Sequence, residues 1–420
     1  LEIDCRNSSV NRLSSEVLSE LMTVLDALES QPPAGLVIHS AKASGFFAGA
    51  DISEFDALDD TDTVRELVRR GWDTFDRLER VSYPTLALIH GHCVGGGLEL
   101  ALACKYRLAV DDADTSFALP EVLLGIFPGW GGMKRLPALI GAPAALDMML
   151  SGRAVDARRA QRLGLVDARV PSRLAKQAAA QHVLSGKRPA RASGLGRLLN
   201  MKPLRPLVVR QTEKKLHERD PYLHYLAPRA ILDIWAQHDG NPLNAPEAMR
   251  ELTRSDTARN LIRVFHLQDR LKSFGKRSPL AKEVLHVHVV GAGAMGGDIA
   301  SWSALKGLKV TLQDQDRERI ADAQGRANTL FTRRLKDKRL QRAAMDRLIP
   351  DPLGHGVSQA DLIIEAISEN LEAKRSLYAR IEPLMKEDAV LATNTSSLPL
   401  RELGAQLMRP QRLVGIHFFN

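Results

Sequence analysis

Apolar positions along this chain switch repeatedly between short unbroken runs and a spacing of three and four. Each switch predicts a strand passing into a helix. Ser14 is placed to cap a helix running to about Glu29, with Glu16 favourable in its first turn. Leu36 to His39 reads as a strand, AKASGFFAGADISEF as a loop that re-enters helix, and Thr61 to Glu79 as an amphipathic helix. The run PTLALIH before Gly91 predicts a short buried strand stopped by glycine. Helical spacing resumes at Leu98, so a helix is expected to begin at Gly96. Short helices punctuated by Pro137 and Pro143 are expected from Gly132 to about Leu165. Gly186 to Pro206, rich in Gly, Pro and basic residues, reads as a linker. Pro221 to Phe274 reads as helix without a motif of its own, expected to brace two domains. VLHVHVV predicts a further strand, GAGAMGGDIASWSALKG a turn into helix, and KVTLQDQD a strand ending at Asp314. The pattern is that of an α/β chain with domains at 1–185 and 281–420 and a linker and helical segment at 186–280.

Two constellations carry chemistry. Gly95, Gly96 and Gly97 let the backbone turn tightly and approach a ligand, and the free N–H groups at the helix start favour developing negative charge. Glu99 lies in the first turn of that helix. Glu121 follows Pro120, and a cluster of Gly125, Pro128, Gly129, Gly131 and Gly132 breaks regular structure after it. Two facing carboxylates push their pKa values apart, which suits unlike proton roles. The second constellation is Gly291-x-Gly293-x-x-Gly296, preceded by a strand, followed by a helix, and answered by Asp314 about 20 residues on. That is a dinucleotide-binding pattern. Gly293 lets a pyrophosphate approach the helix amino end, and Asp314 would bind ribose hydroxyls and repel a 2′-phosphate, favouring NAD over NADP.

FFAGADISEF, GGGLELA and PEVLLGIFPGWGG together resemble the enoyl-CoA hydratase (crotonase) family, and SGRAVDARRAQRLGLVDARVP resembles its closing helix and strand. The resemblance implies a crotonase-like spiral of ββα turns acting on coenzyme A thioesters. It implies that the backbone N–H groups of Ala50 and Gly96 form an oxyanion hole. Adding water to an enoyl thioester drives charge onto the thioester oxygen, and one preorganised donor there is typically worth about 10²–10³ in rate. Glu99 and Glu121 would hold the water, with Glu121 the proton donor to C2 and alone able to shift a double bond from C3 to C2. Downstream, ADLIIEAISENLEAK, NTSSLPL and GIHFFN resemble the Rossmann-type NAD-binding domain of L-3-hydroxyacyl-CoA dehydrogenases. This implies Met295 in the cofactor turn, and Ala366, Glu369, Lys374, Ser396 and Asn420 around the nicotinamide and substrate. His417 would be the base for the hydroxyl proton.

In that order the two parts resemble the multifunctional fatty-acid β-oxidation proteins, a family with bacterial and peroxisomal members, and leave a thiolase subunit open as a partner. In that family the dehydrogenase continues past HFFN to an acid that pairs with the His and to helical domains. This sequence stops at Asn420, so the dehydrogenase half is expected to be incomplete.

Composition narrows the picture further. A chain of 420 residues points to two or three domains, and 44% hydrophobic with 26% charged residues to a globular protein. No stretch reads as a membrane span or signal peptide, although the sequence opens at Leu1 without Met. Cys5, Cys93 and Cys104 include no CxxC pair, which argues against a disulfide frame or metal site and for a reducing compartment, the bacterial cytoplasm or a peroxisome. Cys93 and Cys104 read as small core residues. A formal charge of +8 favours anionic partners. The basic residues are dispersed, however, with no helix-turn-helix or RNP-like motif, so coenzyme A and a dinucleotide are expected rather than nucleic acid. The densest basic stretch, Lys187 to Arg219, reads as solvated surface. Intact Glu99, Glu121 and His417 speak against a scaffold that binds without catalysing.

Overall fold

The computed structural model describes residues 1–55, 60–192, 194–274 and 282–418. They divide into two compact units, Leu1–Phe274 and Gly275–Asn420.

In the first unit the chain alternates between two sheets. Strands β1 (Glu2–Ile3), β2 (Leu36–Ser40), β4 (Thr85–Ile89), β6 (Tyr106–Val110) and β9 (Ala168–Val170) form a five-stranded parallel sheet in that order. Strands β3 (Gly45–Phe47), β5 (His92–Val94), β7 (Ser116–Ala118) and β8 (Val155–Asp156) form the other, parallel except where β8 runs antiparallel to β7. Each strand pair is followed by helix, which makes the spiral of ββα turns. β4 and β6 are buried along their whole length, as strands covered on both faces must be, and so they read as unbroken apolar runs.

Helix α1 (Ser15–Ser30) starts where expected, with the Ser14 hydroxyl accepting from the Val17 N–H. In α2 (Thr61–Arg80) the Asp60 carboxylate accepts from the Asp62 and Thr63 N–H groups, and Trp72, Phe75 and Leu78 face the core. Helix α3 (Gly96–Ala103) is buried throughout. It is followed by α4 (Gly132–Ile140), α5 (Ala142–Ser151), α6 (Ala157–Leu163) and α7 (Ala175–Val183). Cys93 and Cys104 are buried and free, while Cys5 is half-buried and free.

The segment expected as a separate linker and brace does not stand apart from this unit. Its helices are α8 (Gly194–Leu198), α9 (Arg205–Arg219), α10 (Ala227–Gln237), α11 (Pro246–Thr253) and α12 (Asp256–Phe274). Ile231, Ile234 and Trp235 of α10 and Met249 and Leu252 of α11 lie in the same core as Leu98 and Met133. Burying each such side chain is worth about 1.5–3 kcal/mol, more than a free linker helix could recover from propensity. The compact unit therefore runs to Phe274 rather than to 185. Between Lys187 and Arg219 the basic side chains are exposed, apart from Arg205, which is tied to Asp239 and to the Trp235 carbonyl.

The second unit is a six-stranded parallel sheet in the order β12 (Leu348–Pro350), β11 (Lys309–Gln313), β10 (His286–Val290), β13 (Leu362–Glu365), β14 (Val390–Thr393), β15 (Leu413–Gly415). Counted from its first strand, this is the 3-2-1-4-5-6 arrangement of dinucleotide-binding folds. Helices α13 (Ala294–Leu305), α14 (Arg317–Arg334), α15 (Lys338–Arg347) and α16 (Leu371–Ile381) connect the strands. β10 is buried at all five positions, as its nearly unbroken run predicted.

Candidate active site

In the first unit the glycine triplet does what its composition predicts. Gly95 sits at φ +56° ahead of α3, and a Cβ there would stand 3.1 Å from Glu121 Oε1, so a side chain would both strain the turn and crowd the site. One turn into α3, Glu99 is 2% exposed, and its Oε1 accepts from the N–H groups of Trp130 (2.8 Å) and Gly132 (2.7 Å). The GWGG turn is therefore the clamp on Glu99, and it can be one because the Trp130 N–H lies in the turn and the Gly132 N–H is one of the free donors at the start of α4.

Burial pushes the Glu99 carboxyl up to about 7, against the pull of the Gly132 and Trp130 N–H groups and of the Arg135 charge. Glu121 opens a short 3₁₀ turn, and its buried Oε2 has no hydrogen-bond partner. Burial, and then the negative charge of Glu99, raise it well above the ordinary carboxylate range. Two donors favour the anion at Glu99, and none favours it at Glu121 Oε2. The surroundings therefore favour the anion at Glu99 over the anion at Glu121.

Both carboxylates, Ala50 and Gly96 line one cavity. Its walls are apolar side chains of α2 (Val64, Val68) and of the loop after Glu121 (Ile126, Phe127), which keep water scarce around the carboxylates. Met249, Leu252 and Thr253 of α11 line it as well. Sequence reasoning missed these three. The only signal was the apolar spacing in PEAMRELT, which says that a face is buried but not against what.

In the second unit Gly291 lies at φ +104° where β10 turns toward α13. A Cβ there would stand 2.5 Å from the Ala366 carbonyl oxygen. Gly293 precedes the first residue of α13, and nothing lies within 4 Å of where its Cβ would be. Open space over a helix amino end fits a pyrophosphate. Gly296 is buried and Met295 half-buried in the first turn of α13. Asp314 follows β11; its carboxylate accepts from the Ala292 N–H (2.7 Å) and the Asp316 N–H (2.9 Å) and stays partly exposed. These residues fit a dinucleotide lying across the carboxyl ends of β10 and β13.

Ala366 continues β13, its N–H donating to the Val290 carbonyl, and so faces the Gly291 turn. Glu369 Oε1 accepts from the N–H groups of Ser396 (2.9 Å) and Ser397 (3.0 Å) and from the Thr395 hydroxyl. Partial burial would raise this carboxyl, yet these donors hold it at about 2. Ser396 itself is exposed. Lys374 lies on α16, beside Glu369. It is 1% exposed, its Nζ 2.6 Å from Glu365 Oε1 and 3.4 Å from Glu369 Oε2, because a buried ammonium needs a carboxylate beside it. His417 is exposed beyond β15, next to Phe418, whose N–H donates to Asn394 Oδ1. Asn420 lies outside the described residues.

Residues 1–194 match the model of the enoyl-CoA hydratase/isomerase family, and residues 286–420 that of the 3-hydroxyacyl-CoA dehydrogenase NAD-binding domain. In order along the chain, the two matches place a segment similar to a hydratase/isomerase before one similar to the NAD-binding domain of a dehydrogenase. The chain is 35% identical over 444 residues to the fatty acid oxidation complex subunit alpha of Vibrio vulnificus and 34% over 447 residues to that of Shewanella loihica. Both alignments take in 100% of this chain, which spans 61% and 62% of those relatives' lengths. Among solved structures it is similar to 3-hydroxybutyryl-CoA dehydrogenase from Escherichia coli, at 34% identity and a TM-score of 0.32 over 33% of this chain and 30% of that one.

Proposed function

We propose that the first unit hydrates trans-2-enoyl-CoA to L-3-hydroxyacyl-CoA. The observation that carries this reading is the meeting of Glu99, Glu121, Ala50 and Gly96 in one apolar-walled cavity. Glu99, held as the proton acceptor, takes a proton from water as its oxygen bonds to C3. Electron density moves onto the thioester oxygen, where the Ala50 and Gly96 N–H groups receive it. Glu121 then gives its proton to C2. Each positioned proton transfer contributes typically about 10²–10⁴ in rate. The test is loss of enoyl absorbance on mixing purified protein with crotonyl-CoA. Binding of the thioester without turnover would refute the reading in favour of a scaffold.

The same site supports moving a double bond from C3 to C2, a reaction that adds no water and needs a proton relayed between two carbons. Glu121 would carry that relay. Isomerisation of a 3-enoyl-CoA is expected to suffer more from Glu121→Gln than from Glu99→Gln; equal losses would remove the assignment.

For the second unit we propose NAD binding and, in the whole protein, oxidation of the 3-hydroxyacyl-CoA to 3-ketoacyl-CoA. Bound NAD would supply the hydride acceptor. The Gly291–Gly296 turn would hold its pyrophosphate, Asp314 its ribose, and His417 would take the hydroxyl proton. Asp314 would present a carboxylate where NADP carries a phosphate. NADH is therefore expected to bind clearly more tightly than NADPH, with Asp314→Ala narrowing the gap; equal affinity in the unaltered protein contradicts the assignment. Among the described residues no helix is long and apolar enough to cross a membrane. The bacterial relatives favour the cytoplasm, and their description as a complex subunit favours a partner that consumes the 3-ketoacyl product, which by its chemistry is a thiolase.

A further inference from the structure

We infer that Glu365 is a positioning residue for the nicotinamide half of the nucleotide site, acting through Lys374 and Glu369. The inference rests on the reading of the second unit as NAD-binding. With β10 as first strand, the half-site of β10 to β12 takes the adenosine end, marked by Asp314, and the half-site of β13 to β15 the other end. Glu365 is the last residue of β13 and is 0% exposed. Its Oε1 accepts from Lys374 Nζ (2.6 Å) and the Ile367 N–H (2.8 Å), and its Oε2 from the Tyr378 hydroxyl (2.8 Å) and the Thr393 hydroxyl (2.8 Å). An ionised carboxylate has about four acceptor sites, so Glu365 is saturated.

Those four donors come from the loop after β13, from α16 and from the end of β14. They tie together the elements that carry the half-site. Lys374 passes the connection on, since its Nζ also reaches Glu369 Oε2, and Glu369 Oε1 gathers the 395–397 loop. Glu369 is exposed, at the solvent end of this relay, whereas Glu365 and Lys374 form its buried root. A buried pair is a poor source of net stability, because desolvation consumes most of the attraction, whereas its fixed geometry can set register. Without the Glu365 charge, Lys374 keeps one carboxylate neighbour, Glu369, and is drawn toward it, which displaces the loop that Glu369 holds.

The experiment is a pair of titrations, NADH and AMP, on the unaltered protein, Glu365→Gln and Tyr378→Phe. AMP reports the adenosine half-site alone. Glu365→Gln is expected to weaken NADH about tenfold, the scale of a lost charged hydrogen bond, and to leave AMP unchanged. Tyr378→Phe, which removes one donor and no charge, is expected to weaken NADH about threefold with AMP again unchanged. Unchanged NADH affinity in Glu365→Gln, or equal losses of NADH and AMP, overturns the inference, the second outcome marking a merely structural role. Should circular dichroism show Glu365→Gln unfolded, Tyr378→Phe decides on the same criteria. Unaltered protein that binds no NADH overturns the NAD-binding reading itself, and is distinguished by the first titration.

Discussion

Replacing Glu99 or Glu121 by Gln is expected to lower turnover of crotonyl-CoA hydration by about 10² or more, the usual scale for a positioned acid or base. The oxyanion donors polarise the thioester in either variant, but an amide neither takes a proton from water nor delivers one to C2. Glutamine at 99 keeps an oxygen that accepts from the Trp130 and Gly132 N–H groups, so the fold should survive, and an unchanged melting temperature would confirm this. The pH dependence follows from the same pair. In the proposed mechanism the working state has Glu99 ionised and Glu121 protonated. Acid protonates Glu99, which burial has brought to about 7, so kcat/KM should fall as pH drops through that region. Alkali ionises Glu121, which burial and the Glu99 charge have raised, so kcat/KM should fall again at higher pH. The two limbs belong to the pair rather than to either residue. A profile that lacks either limb, or near-normal turnover in either amide variant, would show that a single carboxylate suffices.

Gly291→Ala is expected to abolish useful NADH binding while sparing hydration. The substitution puts a side chain on a residue at φ +104° and a Cβ 2.5 Å from the Ala366 carbonyl oxygen. Strain of this kind and overpacking each cost about 1–3 kcal/mol, so a total near 3 kcal/mol is a sensible expectation. Taken out of the bound geometry, that is about a hundredfold in affinity. Fluorescence titration with NADH reads the loss directly, and the crotonyl-CoA assay on the same preparation reads the first unit. The two should separate, because the cavity that holds Glu99 and Glu121 is lined wholly by residues of Leu1–Phe274. Retained NADH affinity would mean that the Gly291 turn can relax, and that its glycine is not what shapes the nucleotide site.

Several features were legible in the chain because their physical causes are local. A glycine triplet before helical spacing predicts the start of α3, since only a residue without Cβ turns there at positive φ. A buried strand, a Gly-x-Gly turn, a helix and an acid after the next strand predict the nucleotide site, since each is a short-range consequence of chain geometry. Ser14 at the cap of α1 belongs with these. Other features depended on which surfaces meet, and periodicity cannot report that. The spacing in 221–274 gave the helices but not their destination; the apolar faces of α10 and α11 found the first unit's core, and α11 became a wall of its cavity. Lys374 could be expected near the cofactor from its motif. Only packing showed it to be buried against Glu365, a pairing nine residues apart in sequence that needs β13 and α16 to be side by side. The inequality of Glu99 and Glu121 was likewise decided in three dimensions, by two backbone N–H groups from the 130–132 turn that reach one carboxylate and leave the other's Oε2 with none. Sequence by itself determined which groups are present and in what local geometry, because turns, caps and strand-to-helix transitions are settled within a few residues. The tertiary structure alone decided which groups are desolvated and which charges face each other, because burial and long-range contact are properties of the assembled core.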